Sequence, residues 1–155
     1  MVSSYKLNIV SEFLVDLDRI MAEAWMTLAD SPCVLFEGAS FLNETAVRSR
    51  ITFTNAGVWE CIVVMPMSVA TGLALKFYGD EEELDEELIT ECVGEFINII
   101  AGNIQGIIEE NSLLSTPTVE VVSDMTVLCL QGIIRNYAIS TGHFLIQLNN
   151  QGAFV

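Results

Sequence analysis

The chain has 155 residues, of which 52% are hydrophobic and 17% are charged. This length and composition predict a single globular domain over residues 1–155 that buries about two-thirds of its unfolded surface. Six basic residues against 21 acidic ones give a formal charge of −15, which disfavours nucleic acid and anionic membranes, because both are bound mainly by basic side chains. A protein partner, a cation or a second copy of the chain remains possible.

The start of the chain and the cysteines bear on its compartment. The first six residues, MVSSYK, lack the basic and apolar regions of a signal peptide, and no apolar run approaches the ~20 residues that span a bilayer. We therefore expect a cytoplasmic protein. Buried, reduced thiols are more plausible than a metal site or a disulfide framework, because no C-x-x-C pair occurs. The four cysteines are Cys33, Cys61, Cys92 and Cys129.

Apolar residues three and four positions apart predict a first helix over Asn8–Ala29. Pro32 ends it, because the residue before a proline is pushed out of the helical region. A short apolar strand over 34–36 and a loop over 37–45 follow.

Alternating apolar and polar residues then predict a strand over 46–54, and 58–65 is predicted as the returning strand of a hairpin after the turn at 55–57. We expect Arg48 and Arg50 to form a cross-strand charge cluster with Glu60 on its exposed face. The alternative is an anion site built on the two arginines.

A short helix is predicted after Pro66, with Ser68 as its N-cap and Gly79 just past its end. The acidic run 80–87 leads into the next helix, where carboxylates complement the positive end of the helix dipole. Calcium binding is the alternative interpretation, although the run lacks the spacing of an EF-hand loop.

A long helix over 84–111 comes next, and strands complete the chain. The order of elements predicts an α+β domain, an antiparallel sheet packed by two long helices and one short helix. His143, the only histidine, lies far from any carboxylate or cysteine cluster and is interpreted as an ordinary residue. The last segments are a connector over 113–117, a strand over 118–123, an apolar segment over 125–131, and a hairpin over 133–140 and 143–149.

The long helix has two different faces. At about 100° per residue, Glu91, Glu95, Asn98 and Gly102 fall within an arc of roughly 60°, and Glu109 continues this stripe. We call the first four residues the polar seam. The opposite side carries the wide apolar stripe of a helix packed on a core, namely Ile89, Val93, Phe96, Ile100, Ile104 and Ile107.

A solvated helix face would be the simplest interpretation of the polar seam, but two residues oppose it. Asn98 lies in mid-helix although asparagine competes for backbone hydrogen bonds. Gly102 costs a helix roughly 0.5–1 kcal/mol relative to alanine. A glycine beside an exposed amide lowers the surface, so the seam is predicted to be a docking edge.

The sequence GEFINIIAGN, residues 94–103, resembles the G-E-x-x-N-x-x-x-G-N helix of the CheC/CheX/FliY chemotaxis phosphatases, and most closely the single-motif CheX branch. The resemblance extends more loosely over about 49–122. The first helix carries no E-x-x-N, because Val15 and Met26 stand three places after Glu12 and Glu23. One functional edge per chain is therefore expected.

The resemblance implies a phosphatase that acts on the aspartyl phosphate of a response-regulator receiver domain. It implies that Asn98 holds the attacking water and that Glu95 pairs with the receiver's lysine. Gly102 would allow close approach, and Glu91 would also contact the partner. The chain would need no cofactor of its own, since the receiver brings Mg2+. Relatives of this kind pair through sheet edges, so a homodimer is expected.

Three alternatives remain at this point. Glu91 and Glu95 lie one turn apart and could form an acid–base pair, although no Ser-His, Cys-His or H-E-x-x-H arrangement accompanies them. The same edge could belong to a non-catalytic module that binds a receiver or a motor component. The chain could also be a purely structural homodimer, because hairpins leave sheet edges that must be covered or paired.

Overall fold

The computed structural model describes residues 4–37, 44–54, 58–79, 83–108, 112–123 and 132–151. Within these ranges it has three helices and seven strands, so the predicted α+β class is confirmed. The segment 125–130, Gln131, Glu109 and Cys129 lie outside the described residues. The elements are α1 (Ser4–Ala29), β1 (Val34–Leu35), β2 (Ala46–Thr54), β3 (Val58–Pro66), α2 (Met67–Tyr78), α3 (Glu86–Ile108), β4 (Leu113–Leu114), β5 (Thr118–Val122), β6 (Ile133–Ile139) and β7 (Gly142–Gln151).

The described strands form one antiparallel sheet in the order β1-β6-β7-β3-β2-β4, and β5 also pairs with β2. Both predicted hairpins, β2–β3 and β6–β7, are confirmed. The predicted strand over 34–36 is confirmed as β1. The predicted connector over 113–117 is wrong at its start, because Leu113 and Leu114 form β4 beside β2, and so short a segment shows no period in the sequence.

The helices pack on the sheet through an aromatic cluster. The ring of Trp25 in α1 lies 5.7 Å from Phe96 in α3 and 5.3 Å from Phe144 in β7. Tyr137 in β6 extends the cluster, with its ring 5.8 Å from that of Phe144. Because α1, α3 and β7 meet in this cluster, burial of large rings fixes where α3 lies on the sheet.

The inner face of α3 forms the centre of the core, as its periodicity predicts. The expected stripe from Ile89 to Ile104 is buried, and Ile107 is half-buried against the core. At the start of the helix, the Asp85 carboxylate accepts a hydrogen bond of 2.9 Å from the Leu88 amide. Glu86 and Glu87 occupy the first turn, where they complement the helix dipole.

The start of α2 corrects one prediction. Pro66 is the N-cap residue and no side chain caps the helix, so the assignment of Ser68 as N-cap is wrong. Ser68 lies inside the first turn and its hydroxyl donates to Glu44 Oε1 at 3.4 Å. The predicted end is confirmed, because Gly79 has a φ of 85° and its amide donates to the Leu75 carbonyl at 2.9 Å.

The predicted charge cluster on the first hairpin is present but divided. Arg50 Nε lies 3.3 Å from Glu60 Oε1, as expected. Arg48 instead pairs at 2.9 Å with Glu120 of β5, which the sequence does not place beside β2. Each guanidinium therefore already has a carboxylate partner.

A second polar group joins α1 to β6, and we call it the Asp18 cluster. The Asp18 carboxylate accepts hydrogen bonds from Arg135 Nη2 at 2.8 Å and from the Tyr137 hydroxyl at 2.7 Å. Burial, together with the charge of Asp18, raises the pKa of Tyr137 above its usual range. The cluster therefore joins α1 to β6 through one carboxylate, whose charge Arg135 neutralises and to which Tyr137 donates a hydrogen bond.

The cysteines and His143 occupy ordinary structural positions. Cys33, Cys61 and Cys92 are buried and free of disulfides, as predicted. Burial raises the thiol pKa to about 12 for Cys33 and Cys61 and to about 11 for Cys92. The His143 ring stacks on Phe36 at 5.1 Å. Among the described helices, none has the length and apolar character needed to cross a membrane.

Candidate functional site

The polar seam lies together on the outer side of α3. Glu91, Glu95 and Gly102 are exposed and Asn98 is half-buried, whereas the residues on the opposite side of the helix are buried. All four predicted site residues therefore share one open surface.

The two asparagines of the motif differ in how their amides are used. The Asn103 side chain donates a hydrogen bond of 2.8 Å to the Ile99 carbonyl of its own helix. Within the described part of the chain, no hydrogen bond engages the Asn98 amide. Asn98 thus keeps both an acceptor oxygen and a donor nitrogen available to an incoming molecule.

The carboxylates of the seam carry uncompensated charge. Across the described residues, neither Glu91 nor Glu95 forms a salt bridge. The arginines Arg19, Arg48, Arg50 and Arg135 each pair with carboxylates elsewhere. Burial, and then the charge of Glu95, raise the pKa of the buried Cys92 thiol to about 11. An approaching cation therefore meets two free carboxylates.

Beyond Asn98 the outer side of α3 carries glycines, so no side chain rises there above the helix backbone. A Cβ atom added at Gly102 or at Gly106 would meet no other atom within 4 Å, so neighbouring packing requires neither glycine. Ile99 is 37% exposed beside them. The sequence prediction left out Ile99 and Gly106, although at about 100° per residue both lie within roughly 40° of Glu95. The helical period alone could have found them.

A groove runs along the first half of the seam, and the sequence did not predict it. Its volume is about 490 Å³. Gly94 forms part of it, where an added Cβ would lie 3.4 Å from Val119 Cγ2. The lining residues are Tyr78, Thr90, Glu91, Gly94, Glu95, Pro117 and Val119.

The described residues bring no three histidine, cysteine, aspartate or glutamate side chains close enough to hold a metal ion. The outer face of α3 consequently offers hydrogen-bonding groups, negative charge and room for a second surface. Such an arrangement can position and hold a partner.

Comparison with solved structures gives the same fold. CheX from Desulfovibrio desulfuricans is 17% identical, with a TM-score of 0.70 over 89% of this chain and 98% of that one. A putative chemotaxis protein from Desulfovibrio vulgaris Hildenborough is 19% identical, with a TM-score of 0.71 over 89% and 96%. A chain of the CheX–CheY–BeF3–Mg2+ complex from Borrelia burgdorferi is 12% identical, with a TM-score of 0.65 over 88% and 96%.

Sequence comparison identifies the family. No curated protein matches the chain significantly. The family model described as chemotaxis phosphatase CheX matches residues 47–134, which include the β2–β3 hairpin, α2, α3 and β5. This match covers more than half of the 155 residues and confirms the resemblance read from the 94–103 motif. The chain belongs to the CheX family of chemotaxis phosphatases.

Proposed function

We propose that this protein hydrolyses the aspartyl phosphate of a CheY-like receiver domain. The single observation that carries the proposal is that Glu95 and the unengaged amide of Asn98 share one exposed face of α3. Family membership supports the reaction class. A protein of the same fold occurs in a complex with CheY, BeF3 and Mg2+, which supports the class of partner.

Asn98 is the proposed water-positioning residue. Phosphoryl transfer needs mainly an in-line nucleophile and stabilised charge, and most of both can come from the receiver with its Mg2+. A side-chain amide can accept a hydrogen bond from a water while donating another. Held by Asn98, the water would attack the phosphorus atom, the bond to the aspartyl oxygen would break, and inorganic phosphate would leave.

Glu95 is the proposed anchor of the receiver. It is exposed and has no salt-bridge partner among the described residues, so it is free to pair with a lysine of the receiver. Because it lies three residues before Asn98, this ion pair would set the register with which the amide enters the receiver's site. The low surface at Gly102 would let the two proteins come close.

A covalent mechanism on this chain has less support. The three described cysteines are buried with raised thiol pKa values, so they are protonated near neutral pH and poor nucleophiles. His143 stacks on Phe36, away from the seam. A water molecule held between the two proteins is the better nucleophile.

Phosphate release from a phosphorylated receiver tests the proposal. CheY-like receivers encoded in the same genome would be phosphorylated with a small-molecule phosphodonor, and phosphate loss followed with and without the protein. We expect acceleration by the wild type and a higher KM for Glu95→Ala. Glu86→Ala is the control, because Glu86 is an exposed glutamate on the same helix that lies about 180° from Glu95. If the protein accelerates phosphate loss from none of these receivers, the proposal is wrong.

The binding-module alternative makes a different prediction for the same assay. A receiver activated with beryllofluoride and Mg2+ would bind the wild type in a titration, and Glu95→Ala would weaken binding. Phosphate loss would nevertheless proceed at the receiver's own rate. Measuring both quantities therefore separates a phosphatase from a binding protein.

We also propose a homodimer that forms along the β1 edge of the sheet. β1 has two residues, and its side chains Val34 and Leu35 are 59% and 38% exposed. An exposed apolar edge strand is normally covered or paired. Light scattering should give the mass of two chains for the wild type and of one chain for Leu35→Lys. A monomeric wild type at high concentration would reject the dimer.

A further inference from the structure

The groove beside α3 has walls of different chemistry. Glu91, Glu95 and Thr90 of the helix form one side, and Pro117 and Val119 form the other. The absence of a side chain at Gly94 leaves room between them, since a Cβ there would already contact Val119 at 3.4 Å. The groove therefore offers carboxylates next to apolar surface.

This chemistry suits a long basic side chain. Lysine and arginine lay an aliphatic stem along apolar surface while the charged group stays at its polar end. Glu91 and Glu95 have no salt bridge within the described chain, and no basic residue lines the groove. A cation from outside would meet uncompensated charge there.

The groove is continuous with the polar seam, because Glu95 and Glu91 belong to both. Whatever docks on Asn98 and Glu95 therefore also covers the groove. A receiver seated on the seam would bring one of its own surface side chains over Glu91, which lies one helical turn before Glu95.

We infer that the groove between α3 and the Pro117–Val119 segment receives a second basic side chain of the receiver, paired with Glu91. This inference rests on the part of the proposed function in which a receiver docks on the polar seam, and it does not depend on turnover. Glu95 would take the lysine of the receiver's active site, whereas Glu91 would read a basic residue outside it. Glu91 is then a specificity-determining residue, which favours receivers that carry that residue over receivers that lack it.

The first test removes one charge. Glu91→Gln should raise KM for a phosphorylated receiver about two- to fivefold, the range of an exposed ion pair, and leave kcat unchanged. Charge reversal in Glu91→Lys should raise KM on the order of tenfold. Glu86→Gln removes the same charge from an exposed residue on the opposite side of the same helix, about 180° from Glu95, and its KM should match the wild type. Raising the salt concentration should reduce the difference between Glu91→Gln and the wild type.

The second test fills the groove without changing charge. Thr90 is half-buried on the groove wall, so the ring of Thr90→Phe occupies that space. We expect a weakened affinity for the receiver in the variant that circular dichroism shows to be folded. Tighter or unchanged binding by Thr90→Phe, together with an unchanged KM for Glu91→Gln, would overturn the inference.

Binding is measured separately so that the two proposals can fail separately. Affinity for a receiver activated with beryllofluoride and Mg2+ requires no turnover. If the wild type accelerates phosphate loss but Glu91→Gln binds like the wild type, the groove inference is wrong and the phosphatase proposal stands. If binding depends on Glu91 and no acceleration occurs, the phosphatase proposal is wrong and the groove inference stands.

Discussion

The Asp18 cluster and the polar seam are both built on helix carboxylates, yet they use them in opposite ways. The Asp18 carboxylate accepts hydrogen bonds from Arg135 and Tyr137 at 2.8 and 2.7 Å. Glu95 has no ion-pair partner within the described chain, and the amide of Asn98 has no hydrogen-bond partner there. Buried polar groups are satisfied within a fold, whereas the open groups of the seam are available to another molecule.

The comparison predicts that changes at the two places affect different quantities. Substitutions in the Asp18 cluster should lower the free energy of unfolding and leave turnover per folded molecule intact. Substitutions in the seam should lower turnover or receiver binding without lowering the free energy of unfolding. The following predictions are ordered from the largest expected effect to the smallest.

The largest effect is expected for Asn98→Ala. Loss of the amide that we propose to position the water should lower kcat for receiver dephosphorylation by about 10²–10³-fold, the cost of removing one preorganised polar group. The free energy of unfolding should stay the same or rise, because alanine favours helix. Asn103→Ala is the matched control, since Asn103 bonds only to the Ile99 carbonyl. A similar loss of kcat in both variants would reject the role of Asn98.

Asp18→Asn tests the other region. It removes charge-assisted hydrogen bonds that are partly shielded from water and should cost about 1.5–3 kcal/mol of unfolding free energy, measured by urea denaturation. Asp16→Asn is the control, because Asp16 pairs with Arg19 at 3.4 Å on an exposed surface and should contribute about 0.2–1 kcal/mol. A reduced kcat in folded Asp18→Asn would break the proposed separation between the two regions.

Gly102→Ala should stabilise the fold and weaken receiver binding. Because an added Cβ meets no atom within 4 Å, alanine should raise the free energy of unfolding by roughly 0.5–1 kcal/mol. The same methyl group should weaken receiver binding by raising the docking surface. Gly106→Ala, one turn further, tells how far that surface extends. Unchanged binding by Gly102→Ala would remove Gly102 from the interface.

The smallest effect concerns alkaline pH and is absent near neutrality. Burial, and then the charge of Glu95, raises the pKa of Cys92 from 9.0 to about 11. Above pH 9 the unfolded thiol loses its proton while the folded one keeps it, so stability is full below pH 9 and declines as pH rises toward 11. Glu95→Gln should lessen this decline in thermal unfolding. A stability that increases over this range would contradict the assignment.

The periodic parts of the fold could be predicted from the sequence, and so could the position of the seam. The apolar stripe of α3 and the alternation in β2 each repeat several times, and burial confirms both. Asn98 and Gly102 stand out because both disfavour a helix interior. A residue that opposes its own element is visible without any structure.

Features made by distant contacts could not be predicted. The partner of Arg48 is Glu120, on a strand that joins β2 only in the folded chain. The groove exists because Pro117 and Val119 approach Gly94, and no local pattern encodes that approach. The assignment of Ser68 as N-cap is wrong for a different reason, because the helix already begins at Met67, one residue before Ser68.

The two faces of α3, one buried and one exposed, also bear on how the sequence of this protein can diverge. Its inner residues, such as Phe96 and Ile100, are fully buried, whereas the seam on the same helix touches little of the remaining chain. Lineages can therefore exchange outward residues and acquire new signalling partners while the interior stays fixed. A change of signalling partner would then appear as substitutions on one narrow strip of a single helix.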